Sequence, residues 1–433
     1  MPNSVLKESF YRTLRQFPIL AGHIHSRRKG IHEIVVDKYD LNMPEYLESS
    51  DESLHFNKLR DANFNFNIWP ASLETAGGLC KVHHDGRIKL LNAHIVRLQQ
   101  NSGLIIFISI AHCIVDSAAS LYFIARWAEE TRALLGGTPS TTRIIPQNLP
   151  VERSPIESSM RDIYEMKTLF GNFLASLSPK VRARLIYAGA STKNLRTSAF
   201  VISRPILENL HDAIAEFVHD GMRISDNDIV TALRLMTSRL RRLINKVLGK
   251  QQKHQVLLQQ CIGIACDIRH RIGIDQTKYV GNGTFVQLMF SDPADVEPTI
   301  SPRSLAWNAT RVRRSVASVM PPYVSEYFDM VNSRPRCFTR RLVYISRNRG
   351  AGMVSNMSRQ DHYLIDFGGG TPSFAATIPI IGANNVYIFR CPPPSRDLLV
   401  YLCADSSVME KVRQNEFLNS VVEHLFTTAT SES

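Results

Sequence analysis

Fourteen histidines are spread through the 433 residues, and two of them stand four positions before an aspartate: His112-Cys113-Ile114-Val115-Asp116 and His362-Tyr363-Leu364-Ile365-Asp366. A histidine can take a proton from a hydroxyl or amine as that group attacks an activated acyl carbonyl, a step that contributes about 10²–10⁴-fold to rate. The spacing discriminates poorly by itself, because about one His-x-x-x-Asp arises by chance in such a chain. Context separates the two. His112 follows the apolar run 104–111 and precedes Ser117-Ala118-Ala119-Ser120, small residues that open a helix. It therefore stands at a strand-to-helix turn, where α/β folds place reactive groups. His362 begins a strand-like segment, 363–367, without that setting. Cys113 adjoins His112, but successive strand residues point to opposite faces, so a Cys–His nucleophile is badly placed. Phe107, Phe123 and Trp127 are more simply core.

The elements that must position His112 are legible as periodicity. Residues 90–98 and 104–111, separated by Gln100-Asn101-Ser102-Gly103, predict a hairpin. Its second strand is apolar on both faces and is expected to be central and buried. A helix follows from 117 to about 134, with Leu121, Ile124, Ala125 and Ala128 inward and Gly136-Gly137 as its stop. Ahead of the hairpin, Asn3 or Ser4 is expected to cap a helix with Leu6, Phe10, Leu14 and Phe17 on one face. Pro18 ends it, and 19–24 and 32–36 read as strands.

Residues 138–159, rich in Pro, Ser and Thr, read as a crossover, and helical periodicity resumes over 160–186. The second half predicts helices at 207–218, 226–248, 304–320 and 407–426. Strands are expected at 255–267, 341–344, 375–381, 385–389 and 398–403. Helices interleave with strands throughout, so the expected class is α/β: two domains, each a mixed sheet flanked by helices. The boundaries are 1–195, ending in a crossover over about 138–195, and 196–433. Length agrees, since single cores stop growing near roughly 250–300 residues.

With 44% hydrophobic and 21% charged residues, disordered and collagen-like classes are excluded. The 51 Lys and Arg against 39 Asp and Glu give a formal charge of +12, which suits nucleic acid, an anionic membrane or a phosphorylated small molecule. The basic residues are scattered apart from short clusters at 234–242 and 311–314, with no zinc-finger or RNA-recognition signature, so nucleic acid is set aside. Seven cysteines without CxxC spacing suit reduced thiols better than a disulfide framework or a metal site. The opening residues read as an amphipathic helix rather than a signal peptide. The longest apolar run, 104–115, is too short to span a bilayer, and the final Thr-Ser-Glu-Ser is no peroxisomal address. The expectation is a cytoplasmic monomer with no membrane or nucleic-acid partner.

Five motifs in order carry a resemblance. Leu6-Lys7-Glu8-Ser9, Leu14 and Phe17-Pro18-Ile19-Leu20-Ala21-Gly22 are similar to the opening of BAHD acyltransferases and their fungal relatives, the trichothecene O-acetyltransferase-like enzymes among them, with His23 where arginine is usual. His112 to Asp116 resembles their catalytic HxxxD, with Ser117 where glycine usually follows, and Trp127-Ala128 resembles the next helix. Asp267-Ile268-Arg269 and Tyr279-Val280-Gly281-Asn282 resemble the family's D-x-R and Y-x-GN. Asp366-Phe367-Gly368-Gly369-Gly370-Thr371-Pro372 resembles DFGWG-x-P, with Gly369 in place of Trp.

This resemblance implies a fold like chloramphenicol acetyltransferase, with a solvent channel between two domains where acyl-CoA and a small-molecule acceptor meet at His112. It implies that acyl-CoA is a co-substrate, with no permanently bound cofactor and no metal. Asp116 would pair with an arginine, for which Arg269 is the candidate, and would act as support rather than charge relay. The oxyanion of a tetrahedral intermediate needs a donor; Ser355, with Asn356 beside it, is nominated by its interval before Asp366, and Met357 stands where the family has Trp. Ser225 and Arg223 resemble the segment that receives coenzyme A, and Lys250 and Lys253 could also serve, although helix capping explains Ser225 equally well. Asp366, Phe367, Gly368 and Gly370 would form a structural turn remote from the acyl group. The family carries an additional initial strand before its first helix, so a truncated or naturally short N-terminus is expected here, leaving a sheet edge uncovered. Two other readings share the fold: a condensation-type domain, against which Ala111 and Ser117 speak, and a catalytically inactive binding protein.

Overall fold

The computed structural model describes residues 2–26, 32–70, 73, 88–112, 114–137, 195–219, 221–247, 260–274, 279, 281–291, 301–326, 352–377 and 384–429. The crossover 138–194, with the helical periodicity of 160–186, lies outside these residues, as do the strand expected at 341–344, Cys113, Lys250 and Lys253.

The N-terminal half builds a three-stranded sheet in the order β3 (Glu45–Asp51), β4 (Leu91–Leu98), β5 (Leu104–Ile110). β4 and β5 form the hairpin, with Leu91 opposite Ile110 and Ile95 opposite Ile106. Its turn is a short 3-10 segment, Gln99–Asn101. The central strand is β4, not β5. β3 runs parallel to β4 on the far side, and β5 is half-buried along its whole length as the edge among the described residues. An apolar run records how much surface a strand can bury but not which neighbours its backbone finds, and polar β3 carried no strand signal.

Helix α1 (Asn3–Leu14) and helix α3 (Ser117–Leu134) cover one face of this sheet. Phe10 meets Trp127 edge-on at 5.1 Å between ring centroids, and the Trp127 indole N–H donates to the Leu6 carbonyl at 3.0 Å. Pro2, not Asn3 or Ser4, occupies the cap position of α1. The Asn3 side chain instead donates to Glu48 and accepts from Arg97. Pro18 does end the helix, but residues Pro18–Ala21 form a 3-10 turn where a strand is expected, because the fixed φ of proline suits a first helical position. A two-stranded ribbon of β1 (His23–Ser26) and β2 (His32–Val35) follows, then α2 (Phe56–Asp61).

α3 stops at the glycine pair, with Gly136 at φ 77° and the Gly137 N–H returning to the Arg132 carbonyl at 2.9 Å. It buries more than the expected stripe. Phe123 and Trp127 face α1, while Ala125 and Ala128 pack against Ile365; Leu121 and Ile124 are only half-buried.

Residues 195–429 build a seven-stranded mixed sheet in the order β12-β6-β11-β10-β9-β7-β8. Its strands are β6 (Leu195–Ile202), β7 (Gln260–Asp267), β8 (Thr284–Ser291), β9 (Gly352–Asn356), β10 (Asn385–Arg390), β11 (Leu398–Asp405) and β12 (Glu423–Ala429). Helices α4 (Arg204–Ala215), α5 (Asp226–Val247) and α6 (Pro302–Ala317) pack with it around a separate apolar core. α4 starts ahead of the expected 207 because Ser203 caps it before Pro205, and α6 starts at Pro302 through a Ser301–Ser304 capping box.

The helix expected over 407–426 is instead α7 (Ser406–Arg413), α8 (Glu416–Val421) and strand β12. Asn415 restarts the second helix by accepting the Leu418 N–H at 2.9 Å. The residues beyond Val422 find backbone partners on β6, Glu423 opposite Val201 and Thr428 opposite Thr197. Residues 375–377 form no strand, and 378–381 lie outside the described residues. No described helix is long and apolar enough to cross a membrane.

Candidate active site

The hairpin delivers His112. The Ala111 N–H makes the last rung to the Leu90 carbonyl at 2.8 Å, the Ile114 N–H turns back to the Ala111 carbonyl at 2.9 Å, and α3 begins at Ser117. His112 is exposed. Its backbone carbonyl accepts a 2.9 Å hydrogen bond from the Asn282 side-chain amide, which is itself wholly buried.

Asp116 is 3% exposed and caps α3, its Oδ1 accepting from the Ala119 N–H at 3.0 Å. The same carboxylate lies 2.9 Å from the Arg269 guanidinium and accepts from the Gly283 N–H at 2.9 Å and the Thr284 hydroxyl at 3.0 Å. Four donors occupy it from two halves of the chain. The carboxylate thus ties the turn after His112 to the start of β8.

Arg269 is also buried, and a second carboxylate, Asp267, stands 3.1 Å from it. The Tyr279 ring lies 5.5 Å from its guanidinium carbon. Burial would lower the arginine's pKa, but Asp116, helped by Asp267, outweighs burial and holds it above the usual value. Burial likewise pushes the Tyr279 hydroxyl up to about 12. Gly283 must be glycine for this packing: a Cβ there would stand 2.6 Å from Arg269 Cζ. Removing one member of such a buried pair costs about 3–5 kcal/mol.

Ser355 and Asn356 end β9, which runs parallel to β7 with Val354 opposite Ile264. Both therefore reach the sheet end that carries Asp267 and, one strand further, Thr284. As successive strand residues they face opposite sides, so only one can face any given neighbour. The Asn356 amide donates to Asn227 Oδ1 at 3.1 Å.

Ser225 is hydrogen-bonded at a helix start. Its hydroxyl donates to Asp228 at 2.8 Å and accepts from Arg313 at 2.6 Å, and its backbone carbonyl accepts the Asp228 and Ile229 N–H groups that start α5. It is committed to a helix start. Arg223, two residues earlier, is exposed.

The second His-x-x-x-Asp segment runs alongside α3, from Gln360 at Ser117 to Asp366 at Arg132 near the helix end. Residues His362–Leu364 form a 3-10 turn, not the start of a strand. His362 is half-buried, 6.1 Å edge-on from the Phe389 ring, and burial lowers its pKa. Asp366 Oδ1 accepts from the Gly368 and Gly370 N–H groups at 2.6 and 2.9 Å, while its carbonyl accepts from Arg132 near the helix end. Both glycines have φ near 97–98°, and Phe367 meets Trp127 edge-on at 5.1 Å. An 18-residue α3 separates this turn from Asp116, about 27 Å at 1.5 Å per residue.

Four participants were not identified from sequence as site residues. Asn282, Gly283 and Thr284 complete the holding of His112 and Asp116, and Gln360 accepts a 2.6 Å hydrogen bond from the Ser117 hydroxyl. Gly281 and Asn282 stood in the Y-x-GN motif, yet nothing in it named the turn that Asn282 would touch.

The chain matches the model of the Transferase family over residues 70–418. Several solved structures resemble it. TRI101 of F. sporotrichioides, in complex with coenzyme A and T-2, superposes at TM-score 0.66 with 15% identity, covering 98% of this chain and 91% of that one. Vinorine synthase superposes at 0.62 with 15% identity, covering 97% and 85%. The first condensation domain of the CDA synthetase superposes at 0.51 with 13% identity, covering 95% and 86%. No curated protein sequence matches. At these identities the superpositions speak for the fold, while the family model spans most of the sequence: the chain belongs to the Transferase family of BAHD-type acyltransferases, on a mixed α/β, chloramphenicol-acetyltransferase-like fold.

Proposed function

We propose that the protein transfers an acyl group, acetyl by default, from acyl-CoA to a hydroxyl or amine of a small-molecule acceptor, with His112 as general base. The observation that carries this reading is the division of labour in one turn: His112 exposed, Asp116 buried and fully engaged by four donors. TRI101 has been solved with coenzyme A together with T-2 and with deoxynivalenol, which supports acyl-CoA and a small hydroxylated or amino acceptor as the substrates.

In this reading the imidazole takes the acceptor proton as the acceptor oxygen or nitrogen attacks the thioester carbonyl. The tetrahedral oxyanion is met by a donor at the end of β9, Ser355 or Asn356. Collapse breaks the C–S bond, and the departing thiolate takes the proton back from the imidazolium. Asp116 and Arg269 keep the turn in place, since misplacement by about 1 Å can cost 10²-fold. Residues 1–195 and 196–433 act as two domains with a channel between them. Arg223 and Lys253 attract the coenzyme A phosphates, assisted by the chain's net positive charge. The enzyme works as a cytoplasmic monomer on a secondary metabolite.

The test is single-turnover transfer from acetyl-CoA to a panel of hydroxylated and amino acceptors, with products read by mass spectrometry. Transfer by the wild type that disappears in His112→Ala supports the base. Equal rates in the two proteins would overturn it and favour a binding protein on the same fold.

A further inference from the structure

The turn that carries His112 is held at more than one point, and one of these points concerns the distance across the site. Asn282, Gly283 and Thr284, at the start of β8, hold the His112 carbonyl and the Asp116 carboxylate. Ser117, the residue after Asp116, reaches a different place: its hydroxyl donates to Gln360 Oε1 at 2.6 Å. Gln360 belongs to the segment that follows β9. Gln360 follows β9, whereas Asn282 to Thr284 lead into β8, so the two holding points come from different parts of the chain. A turn tied at a single point can rock about it; a turn tied at two separated points cannot.

From Gln360 the connection to the end of β9 is short and closed. The Gln360 N–H donates to the Met357 carbonyl at 3.0 Å, and the Met357 N–H is fixed to the Ile388 carbonyl of β10 at 2.7 Å. The Ser358 N–H donates to Asn356 Oδ1 at 2.9 Å, and the Asn356 amide donates to Asn227 at 3.1 Å. Every link between Ser117 and Asn356 is thus a hydrogen bond or a tight turn. The family that the chain resembles places glycine where Ser117 stands, and glycine has no hydroxyl with which to make this contact.

We propose that Ser117 and Gln360 are positioning residues that set the separation between the general base His112 and the oxyanion donor at the end of β9. This rests on the assignment of His112 as base. Neither residue touches the reacting atoms; they act through the turns that carry them. Because the separation matters only as the acyl carbonyl becomes tetrahedral, the pair governs turnover and leaves the binding of acyl-CoA alone.

The experiment compares Ser117→Ala, Gln360→Leu, their combination, Gln360→Glu and His112→Ala, with acetyl-CoA as donor. The co-substrate is the best acceptor from the panel above, or water if none is taken, and thiol release is followed. Ser117→Ala and Gln360→Leu each lower kcat about tenfold, the scale of one hydrogen bond felt fully in the transition state, with KM for acetyl-CoA within about twofold. The double variant is no slower than either single, as expected of one shared contact. Gln360→Glu, whose carboxylate also accepts the serine proton, stays within about threefold of wild type. Unchanged kcat in folded Ser117→Ala and Gln360→Leu, additive losses in the double variant, or losses that merely track a fall in Tm would each overturn the proposal while His112→Ala remains inactive. Full activity in His112→Ala would instead remove the base itself, and the positioning role with it.

Discussion

Two segments of this chain carry the same His-x-x-x-Asp spacing, and their aspartates meet opposite ends of one helix. At the start of α3, Asp116 is buried among four donors and His112 is turned outward. In the second segment His362 is packed against Phe389, and Asp366, near the helix end, spends its Oδ1 on two glycine N–H groups of its own turn. The difference teaches that the spacing is only a way of writing a turn. What distinguishes them is where the carboxylate's partners come from. Asp116 draws Arg269, Gly283 and Thr284 from the other half of the chain, so it couples two parts of the molecule. Asp366 is satisfied locally, and only its backbone carbonyl reaches out, to Arg132.

The sharpest way to break this comparison is to remove each histidine. His112→Ala should lower the single-turnover rate by about 10²–10⁴-fold, the usual contribution of a general base, whereas His362→Ala should leave the rate of the folded fraction within about threefold. A comparable loss in both would end the distinction.

The next effect separates the two aspartates. Arg269→Ala leaves the Asp116 carboxylate buried without its cation and should cost about 3–5 kcal/mol in urea unfolding. Asp366→Ala removes hydrogen bonds at a half-exposed turn and should cost about 1–2 kcal/mol. Reversal of that order would mean that the DFGGG turn, not the Asp116 pair, is the more stabilising of the two.

Within the second turn the glycines are unequal. Gly368 has φ 97°, and a Cβ there would stand 2.7 Å from Leu135, whereas Gly369 has nothing within 4 Å of its Cβ position. Gly368→Ala should therefore lower stability by about 1–3 kcal/mol and Gly369→Ala by less than about 0.5 kcal/mol. Thermal melts check both, and neither change should alter kcat of the folded protein.

The smallest effect is a pH dependence. Burial lowers the His362 pKa from its ordinary 6.5, so the unfolded chain binds the proton more readily than the folded one. The stability associated with the neutral ring is complete above about pH 6.5 and is lost as the pH falls toward the lower folded-state pKa. Urea unfolding at pH 7.5 and 5.5 should show a drop on acidification that is smaller in His362→Phe. An equal drop in both would place the sensitivity elsewhere.

Much of what surrounds His112 was legible because it is local. The hairpin, the helix from Ser117 to Leu134 and its glycine stop follow from alternation, helical spacing and a residue that tolerates positive φ. The pairing of β3 with β4 was not legible. Residues 45–51 are largely polar, and a parallel edge strand is recruited through its backbone. The last helix failed for a related reason: residues 423–429 become β12 only because β6 offers an open edge. At the site, Arg269 and Asn282 both stood in motifs of the resemblance, but the contact that Asn282 makes was not legible, and Gln360 carried no signal. An asparagine and a glutamine have no sequence pattern that says which carbonyl or hydroxyl they will meet 170 or 243 residues away.

By itself, then, the amino-acid sequence determined the strand-to-helix turn at His112, the α/β alternation and the family to which the chain belongs. These depend on residues within a few positions of one another or on motifs kept in order. Only the tertiary structure decided which of two identical spacings couples the halves of the molecule. It also decided that Asp116 is consumed by distant donors, that Ser225 is committed to a helix start, and that Ser117 reaches Gln360. Those outcomes depend on which distant groups share a desolvated space, where an unpaired carboxylate or amide is costly and a satisfied one holds the turn in place.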